Sequence, residues 1–600
     1  MNHFLARRRS FLLATLFAAA AGFSCRMLAA QEAVEIDVAE VDATDGAIVT
    51  APVGEIKTVA VVGLSSYNNL VSDVNFVGSL ADRPELGQML QGTIALFTQG
   101  KGLDGVDQSK PWGVIVQTDG QQFYPVGCIA VTNLDNVLGI ARNFGAQVQD
   151  GDEGAKQIVL PNGKTIHVKE SSGWAYIAQM EAALSNLPAD PLAELAKIVT
   201  EYDLGARISV QNVPEMYRKM AVQAMKAGMQ DGLKQKEGED DKDYEMRRQM
   251  AEAQIEQVER MVNEIDEVVA GWAVDASQQK TYLDFTYRFL PDSKMARQIA
   301  GYGQPKTNFA GFFQPDAAAT LTFASQADPA LIKEDLDKMR TMMQTMRKQA
   351  ENAIDEEEDI PDDATREAVK AALGDFMDAF QATMESGQMD GGAALQLGAD
   401  KLTLVAGALV KEPGKFEEGL KKLATLAEKE PNFNGVQWNA ANHQGVSFHT
   451  LSLPIPEDQD EVRQIFGDKA DVAIGIGSDA VYVAVGRDSL EAVKKAIDAS
   501  AAEPNKEVPP FELSMSLGQI LEMAAATHAD EDERPMIQAI ADMLKNDAQG
   551  RDHVRTSGTF IDNGLQYRLE AEEGVLRAIG KATMVAQQKA QQEAMQGQGP

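Results

Sequence analysis

The chain has 600 residues and carries 90 acidic against 55 basic side chains, a formal net charge of −35 at pH 7. Such an acidic surface repels nucleic acid and anionic membrane faces, so we expect neither as a partner. A chain of this length buries enough apolar surface to fold without disulfide bonds.

Residues 1–30 have the pattern of a secretory signal peptide, with a basic start, an apolar run and small residues before Gln31. The stretch RRSFL (8–12) also resembles a twin-arginine signal, and the general secretory route is the alternative. Cys25 lacks a large aliphatic residue three positions before it, which favours its loss with the leader over lipidation. We expect an exported protein, periplasmic or extracellular, whose mature chain has no transmembrane segment.

The mature chain divides into four parts by composition and pattern. Residues 31–56 are acidic and are predicted to form a flexible spacer. Two α+β lobes follow, 57–304 and 305–582, and they meet where glycine and proline punctuate the chain. Residues 583–600 form a Gln- and Ala-rich tail, for which the sequence allows a fraying helix or disorder.

Two pairs of matching segments predict that the lobes repeat one fold. The segments YRFLPDSKMARQI (287–299) and YRLEAEEGVLRAI (567–579) align without a gap. The segments 164–187 and 471–497 both have the pattern strand, small-residue turn, strand, helix. Both matches occur in the same order along the chain, so we expect an internal repeat.

Each lobe has the same predicted succession of strands, helical pairs and single helices. Tight turns such as the one at 119–120 join neighbouring strands, which favours antiparallel pairing. We therefore predict an α+β fold of two similar repeated lobes, each a mainly antiparallel sheet faced by helices, with protruding helical hairpins.

Apolar stripes at helical spacing mark the long helical pairs, including 329–354 with 364–385 and a stripe running from Ile255 to Val269. Their methionines are consistent with helix–helix packing, which we favour, or with an adaptable binding groove. The pairs have acidic tips at 236–243, 355–363 and 530–534. None of these tips has a calcium-loop pattern, so solvated turns are favoured over calcium sites.

The stretch GIGSDA (475–480) fits the spacing of a dinucleotide-binding fingerprint. That fingerprint needs a helix directly after the glycines, so that pyrophosphate meets the helix N-terminus. Here the strand-like VYVAV (481–485) follows, and the helix begins only at Asp488, with Glu491 completing a predicted capping box. We interpret Gly475 and Gly477 as part of a β-hairpin whose glycine face is either pressed by a neighbouring helix, such as the one at Asp488, or open to water, and we expect no nicotinamide or flavin cofactor.

Thiol and imidazole groups show no catalytic or metal-binding pattern. Cys128 is the one thiol of the mature chain, and its apolar strand-like surroundings predict a buried, inert group. His449 shares a strand face with Leu451 and Leu453, which favours a core or edge position over a metal ligand. The histidines of the mature chain are His167, His443, His449, His528 and His553.

Two serine patterns are incomplete. Ser277 and Lys280 have SxxK spacing, but the companion motifs of serine acyl-enzymes are absent from the sequence. The stretch GVSFH (445–449) lacks the second glycine of a nucleophile elbow. Carboxylate pairs for glycoside hydrolysis cannot be located without the fold. We assign no catalytic, cofactor-binding or metal-binding residue and favour a protein that is not an enzyme.

The leader, the paired strand–turn–strand–helix units and the YR(F/L) segments resemble a group of large, uncharacterised secreted bacterial proteins with two similar α+β halves. The resemblance covers most of residues 57–582 and implies no activity. We expect an envelope or extracellular protein that binds another protein or an envelope component. One alternative is a carrier of apolar ligands, such as lipid, in a cavity between helices and sheet. The other is a hydrolase with a carboxylate or Ser/His site that its sequence does not reveal.

Overall fold

The structure is a computed structural model that describes residues 55–596 of the chain. Gaps within this range are 189, 231–233, 236–237, 328, 358–359, 399–400, 429–432, 457–458, 528–533 and 549. The expected signal peptide (1–30) and all but the last two residues of the expected spacer (31–56) lie outside the described residues. Cys25 and His528 also lie outside them.

The described chain contains 22 strands, which we number in chain order. The first half holds β1 (Lys57–Leu64), β2 (Trp112–Thr118), β3 (Phe123–Ala130), β4 (Gln147–Asp150), β5 (Lys156–Val159), β6 (Thr165–Ser171), β7 (Trp174–Ala178), β8 (Leu204–Ser209), β9 (Ile265–Asp275) and β10 (Lys280–Phe289). The second half holds β11 (Lys306–Thr307), β12 (Ala319–Gln326), β13 (Gln388–Gly398), β14 (Lys401–Leu409), β15 (Gln437–His443), β16 (Val446–Pro454), β17 (Lys469–Ile476), β18 (Ala480–Gly486), β19 (Lys506–Glu507), β20 (Phe511–Ser516), β21 (His553–Ile561) and β22 (Gly564–Glu572).

Twenty of these strands form one continuous antiparallel sheet, while β11 and β19 pair with each other. The order from edge to edge is β4-β5-β6-β7-β3-β2-β1-β8-β9-β10-β22-β21-β20-β12-β13-β14-β18-β17-β16-β15. Read inward from either edge, the strands of the two halves follow the same order. Four strands consecutive in the chain come first, then the three earlier strands of that half in reverse, and then its last three strands. The antiparallel pairing predicted from the turns is confirmed, and the two halves join through β10 and β22.

The described helices are α1 (Tyr67–Leu80), α2 (Leu86–Phe97), α3 (Leu134–Asn143), α4 (Pro191–Val199), α5 (Glu215–Gln230), α6 (Asp241–Glu264), α7 (Lys294–Gly301), α8 (Pro329–Glu356), α9 (Asp363–Glu385), α10 (Pro413–Ala427), α11 (Asp460–Phe466), α12 (Ser489–Ala502), α13 (Leu517–Thr527), α14 (Arg534–Met543) and α15 (Glu573–Gln596). Helices beside one antiparallel sheet confirm the predicted α+β class. The Gln- and Ala-rich tail is helical as far as Gln596, because it continues α15.

One predicted helical stripe crosses a helix–strand boundary. Helix α6 ends at Glu264, and both Ile265 and Val269 lie in β9, so the expected continuation of the helix to Val269 is wrong. A spacing of four residues places two side chains on one face of a helix and equally on one face of a strand. The β-branched segment after Glu264 pairs with β8 and β10, and these ladders decide its conformation.

One face of the sheet, which we call the covered face, packs closely against α4 in the first half. A row of glycines in register crosses four strands at Gly113, Gly63, Gly205 and Gly271. A Cβ atom on Gly113 would lie 2.3 Å from Cδ2 of Leu195, and one on Gly205 would lie 2.3 Å from Cγ2 of Ile198. The missing side chains therefore allow α4 to lie directly on the sheet. In the second half, the short turn Ala310–Phe312 and α12 cover the same face.

Candidate functional site

The opposite face of the sheet is apolar and open to solvent at its centre. Its exposed residues are Val62, Val114, Leu204, Ile208, Phe285, Met515 and Leu569, each between 36% and 47% exposed. They lie on β1, β2, β8, β10, β20 and β22, and we call this surface the open face. Large exposed apolar side chains that form one contiguous surface typically mark an interaction site, whereas single exposed apolar residues do not.

Strand register shows that these residues share one side of the sheet. Leu204 lies opposite Trp272, Trp272 opposite Leu283, and Leu283 opposite Leu569. Val62 lies opposite Val114 in the same way. Residues directly opposite each other on neighbouring strands point to the same face. The open face is therefore continuous across the junction between the two halves.

Packed segments border the open face along the sheet. In the first half, Leu138 of α3 packs over β6 and β7. In the second half, Phe376 of α9 and Leu420 of α10 pack over β17 and β18. At the ends of the central strands, Ile299 of α7 packs with Phe289 of β10, while α15 contacts β21 and β22. Because β10 and β22 are antiparallel, the helices that follow them stand at opposite ends of the strands.

The central strands reverse the usual distribution of polar and apolar residues. An antiparallel sheet with one solvated face normally turns its polar side chains to water. On β10, however, Lys280, Asp284 and Arg288 lie on the covered side, while Leu283 and Phe285 lie on the open side. The apolar face that would usually be packed is thus the exposed one.

The covered face carries a polar layer at the junction of β10 and β22. The guanidinium of Arg568 donates hydrogen bonds of 2.8 and 2.7 Å to the two oxygens of Asp284, which is only 1% exposed. Arg568 also lies over the Tyr282 ring at 4.1 Å. The Tyr202 hydroxyl donates to the same carboxylate at 3.1 Å, and burial raises the pKa of Tyr202. These groups satisfy one another and hold the two halves together.

A polar cavity of about 370 Å³ lies beside this layer and is lined partly by α4, β8, β9 and β10. Its charged groups pair within the protein: Arg207 lies 2.9 Å and Arg288 lies 2.6 Å from Glu267. Arg207 also lies 3.5 Å from Glu194. This pairing is typical of a structural ion network, and we assign no ligand to the cavity.

The GIGSDA stretch forms a hairpin turn between β17 and β18, as the sequence predicts. A Cβ atom on Gly475 would lie 2.7 Å from the ring of Phe448 and 2.8 Å from Val446, both on β16. The nearest atoms therefore belong to the strand alongside, while α12 covers the same face of the hairpin, with its Val493 and Ala496 in one core cluster with Ala473. No helix follows the glycines directly, so the geometry of a pyrophosphate site is not formed.

The predicted capping box at α12 is also wrong. Asp488 has a φ of 58° and its side chain makes no capping hydrogen bond. A side-chain N-cap normally has extended backbone angles, which this left-handed residue does not have. Its carboxylate instead lies 3.8 Å from the amine of Lys401.

Cys128 and His449 are both core residues. Cys128 is fully buried in β3, and burial raises the pKa of its thiol to about 12, so the reactive thiolate is scarce at neutral pH. His449 is buried as well, and its Nδ1 accepts a hydrogen bond of 3.1 Å from the backbone N–H of Asn439. Its ring meets Trp438 edge-on at 4.9 Å, and burial lowers the pKa of His449.

The remaining candidate side chains have separate structural partners. Ser277 donates to Asp275 at 2.6 Å, whereas Lys280 pairs with Glu570 at 2.7 Å, so the SxxK residues do not act on each other. Ser447 of the elbow-like stretch donates to Asn439 at 2.6 Å. Within the described ranges, no group of three or more His, Cys, Asp or Glu residues is placed to hold a metal ion.

Sequence reasoning did not single out Asp73, a partly buried carboxylic acid on α1. Its Oδ2 atom is buried and has no hydrogen-bond partner among the described residues. Burial, together with the charge of Asp203, raises the pKa of Asp73 to about 7. The two carboxyl groups come from distant parts of the chain, so no local motif could predict this pair.

No protein family, no curated protein and no solved structure matches this chain. The described helices include none long and apolar enough to cross a membrane. A function must therefore be inferred from the surface of the protein, and the open face is the most distinctive part of that surface.

Proposed function

We propose that this is an exported protein of the periplasm or extracellular space that binds an apolar envelope component, a lipid, on the open face. The observation that carries the proposal is the continuous apolar surface at the centre of the sheet, where seven large side chains are exposed. The signal-peptide pattern supports export. No catalytic step belongs to the proposal.

The free energy available from covering the open face is substantial. Fully burying one large apolar side chain contributes roughly 1.5–3 kcal/mol, so covering the exposed two-fifths of seven would contribute about 4–8 kcal/mol. The upper end of this range matches the binding free energy of a micromolar complex, about 8 kcal/mol. Association costs reduce the net value, and contacts to half-buried neighbours such as Trp272 and Leu283 increase it.

Helices that come after β1 and β8 in the chain also expose apolar side chains. The second helix of the first hairpin, α2, exposes Met89, Leu96 and Phe97, and α5 exposes Met216 and Met220. Methionine adapts its shape to irregular apolar ligands, which suits a carrier of acyl chains. A protein partner, our initial expectation from the sequence, is the alternative occupant.

The proposal is tested by measuring the lipid bound to purified protein with organic extraction and mass spectrometry. The double variant Leu204→Gln/Leu569→Gln places polar groups on the open face, where both side chains are already partly exposed. We expect it to retain its fold and to lose most of the bound lipid. The matched control is Leu192→Gln, since Leu192 is similarly exposed but lies on α4 at the covered face. Equal lipid content in wild type and double variant would contradict the proposal.

A further inference from the structure

We infer that the open face takes a lipid with at least two acyl chains and an uncharged or zwitterionic headgroup, an inference that rests on the proposed function. The dimensions of the exposed surface indicate the length and number of the acyl chains. The distribution of charge on the protein indicates the charge of the headgroup.

The exposed surface is about one acyl chain long in the strand direction. Leu204 and Ile208 mark its extent on β8, and four residues of strand span about 14 Å. The hydrocarbon core of a bilayer is about 30 Å thick, so the chains of one leaflet span about 15 Å. An acyl chain lying along the strands therefore matches this length.

Across the strands, the same surface is several chains wide. Eight neighbouring strands lead from β2, which holds Val114, to β20, which holds Met515. At a strand spacing of about 4.8 Å, this distance is about 34 Å. Aliphatic atoms pack at separations of about 4 Å, so one chain would leave most of the surface uncovered. Two or more chains side by side are needed to cover it.

Strands β8, β10 and β22 offer no charged group to a headgroup at the centre of the open face. On β8, β10 and β22, the residues that point to this side include Leu204, Ile208, Leu283, Phe285 and Leu569, and none of these three strands places an ionisable acid or base there except Tyr287 and Tyr567. The charged side chains of β10 and β22 lie on the covered side. The headgroup would thus remain in water, close to a protein with a net charge of −35. That charge repels anionic headgroups and tolerates neutral or zwitterionic ones.

The same features disfavour the other occupants. A second copy of the chain would bring another net charge of −35 against the first. Protein interfaces are enriched in aromatic residues, Met and Arg, whereas five of the seven exposed residues are Val, Leu or Ile. Acyl chains require neither charge complementarity nor hydrogen bonds from this surface.

The experiment compares three probes: phosphatidylcholine vesicles, phosphatidylglycerol vesicles and lysophosphatidylcholine, which has the phosphatidylcholine headgroup and a single acyl chain. Each is incubated with lipid-stripped purified protein, and native mass spectrometry counts the molecules bound per chain. We expect phosphatidylcholine to bind at least tenfold more than phosphatidylglycerol at low salt, with the difference shrinking at high salt as charge repulsion is screened. Lysophosphatidylcholine should bind with two or more molecules per protein chain, and Leu204→Gln/Leu569→Gln should lower binding of phosphatidylcholine and lysophosphatidylcholine.

Several outcomes would overturn this inference, and they are distinguishable from failure of the proposed function. Equal binding of both phospholipids would overturn the headgroup assignment, and a limit of one lysophosphatidylcholine per protein chain would overturn the chain number, while lipid binding itself would stand. Failure of all three probes to bind the protein would contradict the proposed function. A lipid-free dimer, seen by sedimentation and abolished in the double variant, would show that a second copy covers the face and would overturn both.

Discussion

Arg568 of β22 holds Asp284 of β10 through two hydrogen bonds, and this pair joins the first half of the sheet to the second. Removing one partner of a buried ion pair leaves the other charge uncompensated, which is typically costly. Arg568 is partly exposed, so water compensates some of this cost. We expect Asp284→Ala to lower the free energy of unfolding by about 2–4 kcal/mol, measured by urea denaturation.

The matched control for this variant is Lys156→Met, which removes an exposed ion pair with Asp150 far from the junction. We expect its unfolding midpoint to stay close to that of wild type, because exposed pairs contribute little. An Asp284→Ala variant as stable as this control would show that the junction does not depend on the buried pair.

Asp73 should make the protein less stable as the pH rises from about 4 to about 7. Its folded pKa of about 7 lies above the ordinary value near 3.8, so the folded state holds the proton that the unfolded state has released in this window. The stability that the raised pKa confers is complete below the unfolded pKa and is lost above the folded one. We expect Asp73→Asn to match wild type near pH 4 and to exceed it at pH 8, by on the order of 1–2 kcal/mol after discounting for solvent screening.

Urea unfolding at the two pH values measures the effect of Asp73→Asn. Asp150→Asn serves as the control, because Lys156 lowers the pKa of Asp150 and that carboxylate is exposed. A stability gain at pH 8 in the control but not in Asp73→Asn would refute the assignment to Asp73.

The two glycines of the fingerprint-like stretch should respond differently to a methyl group. A Cβ on Gly475 meets Phe448 at 2.7 Å, whereas one on Gly477 meets its nearest atom, the carbonyl oxygen of Ala480, at 3.3 Å. We expect Gly475→Ala to cost about 1–3 kcal/mol of stability through overpacking and Gly477→Ala to cost less. Calorimetric titration with NAD and NADP should give no saturable heat in wild type, and saturable binding that Gly477→Ala abolishes would restore the cofactor hypothesis.

The sequence predicts the elements of this fold better than it predicts their exposed surface. Alternation on β10 separates Asp284 from Phe285 and thereby identifies two faces, but the pattern alone does not say which face is covered. The covering of one face depends on the glycine row beneath α4, whose members are distant in sequence and meet only through strand register. For this reason the α+β class and the GIGSDA hairpin were predictable, whereas the open face was not.

The two wrong details have local causes. The spacing of Ile265 and Val269 fits a helix and a strand alike, so only the pairing partners of β9 decide between them. The capping box at Asp488 fails because the tight turn after β18 forces that residue into a left-handed conformation. A sequence pattern of acids three residues apart does not report this backbone angle.

The central claim, that acyl chains lie on the open face, is tested most directly by fluorescence quenching of Trp272. This side chain lies on β9 between Leu204 and Leu283 on the open face, whereas Trp438 packs beneath α10 with His449. Bromine atoms on an acyl chain quench tryptophan fluorescence only at short range. Trp112 of β2 lies opposite Leu64, which lies opposite Leu204, so Trp112 also points to the open face. We predict that brominated phosphatidylcholine quenches wild type and Trp438→Phe strongly and that the double variant Trp112→Phe/Trp272→Phe loses most of the effect. Strong quenching that persists in this double variant, or none in wild type, would contradict the account.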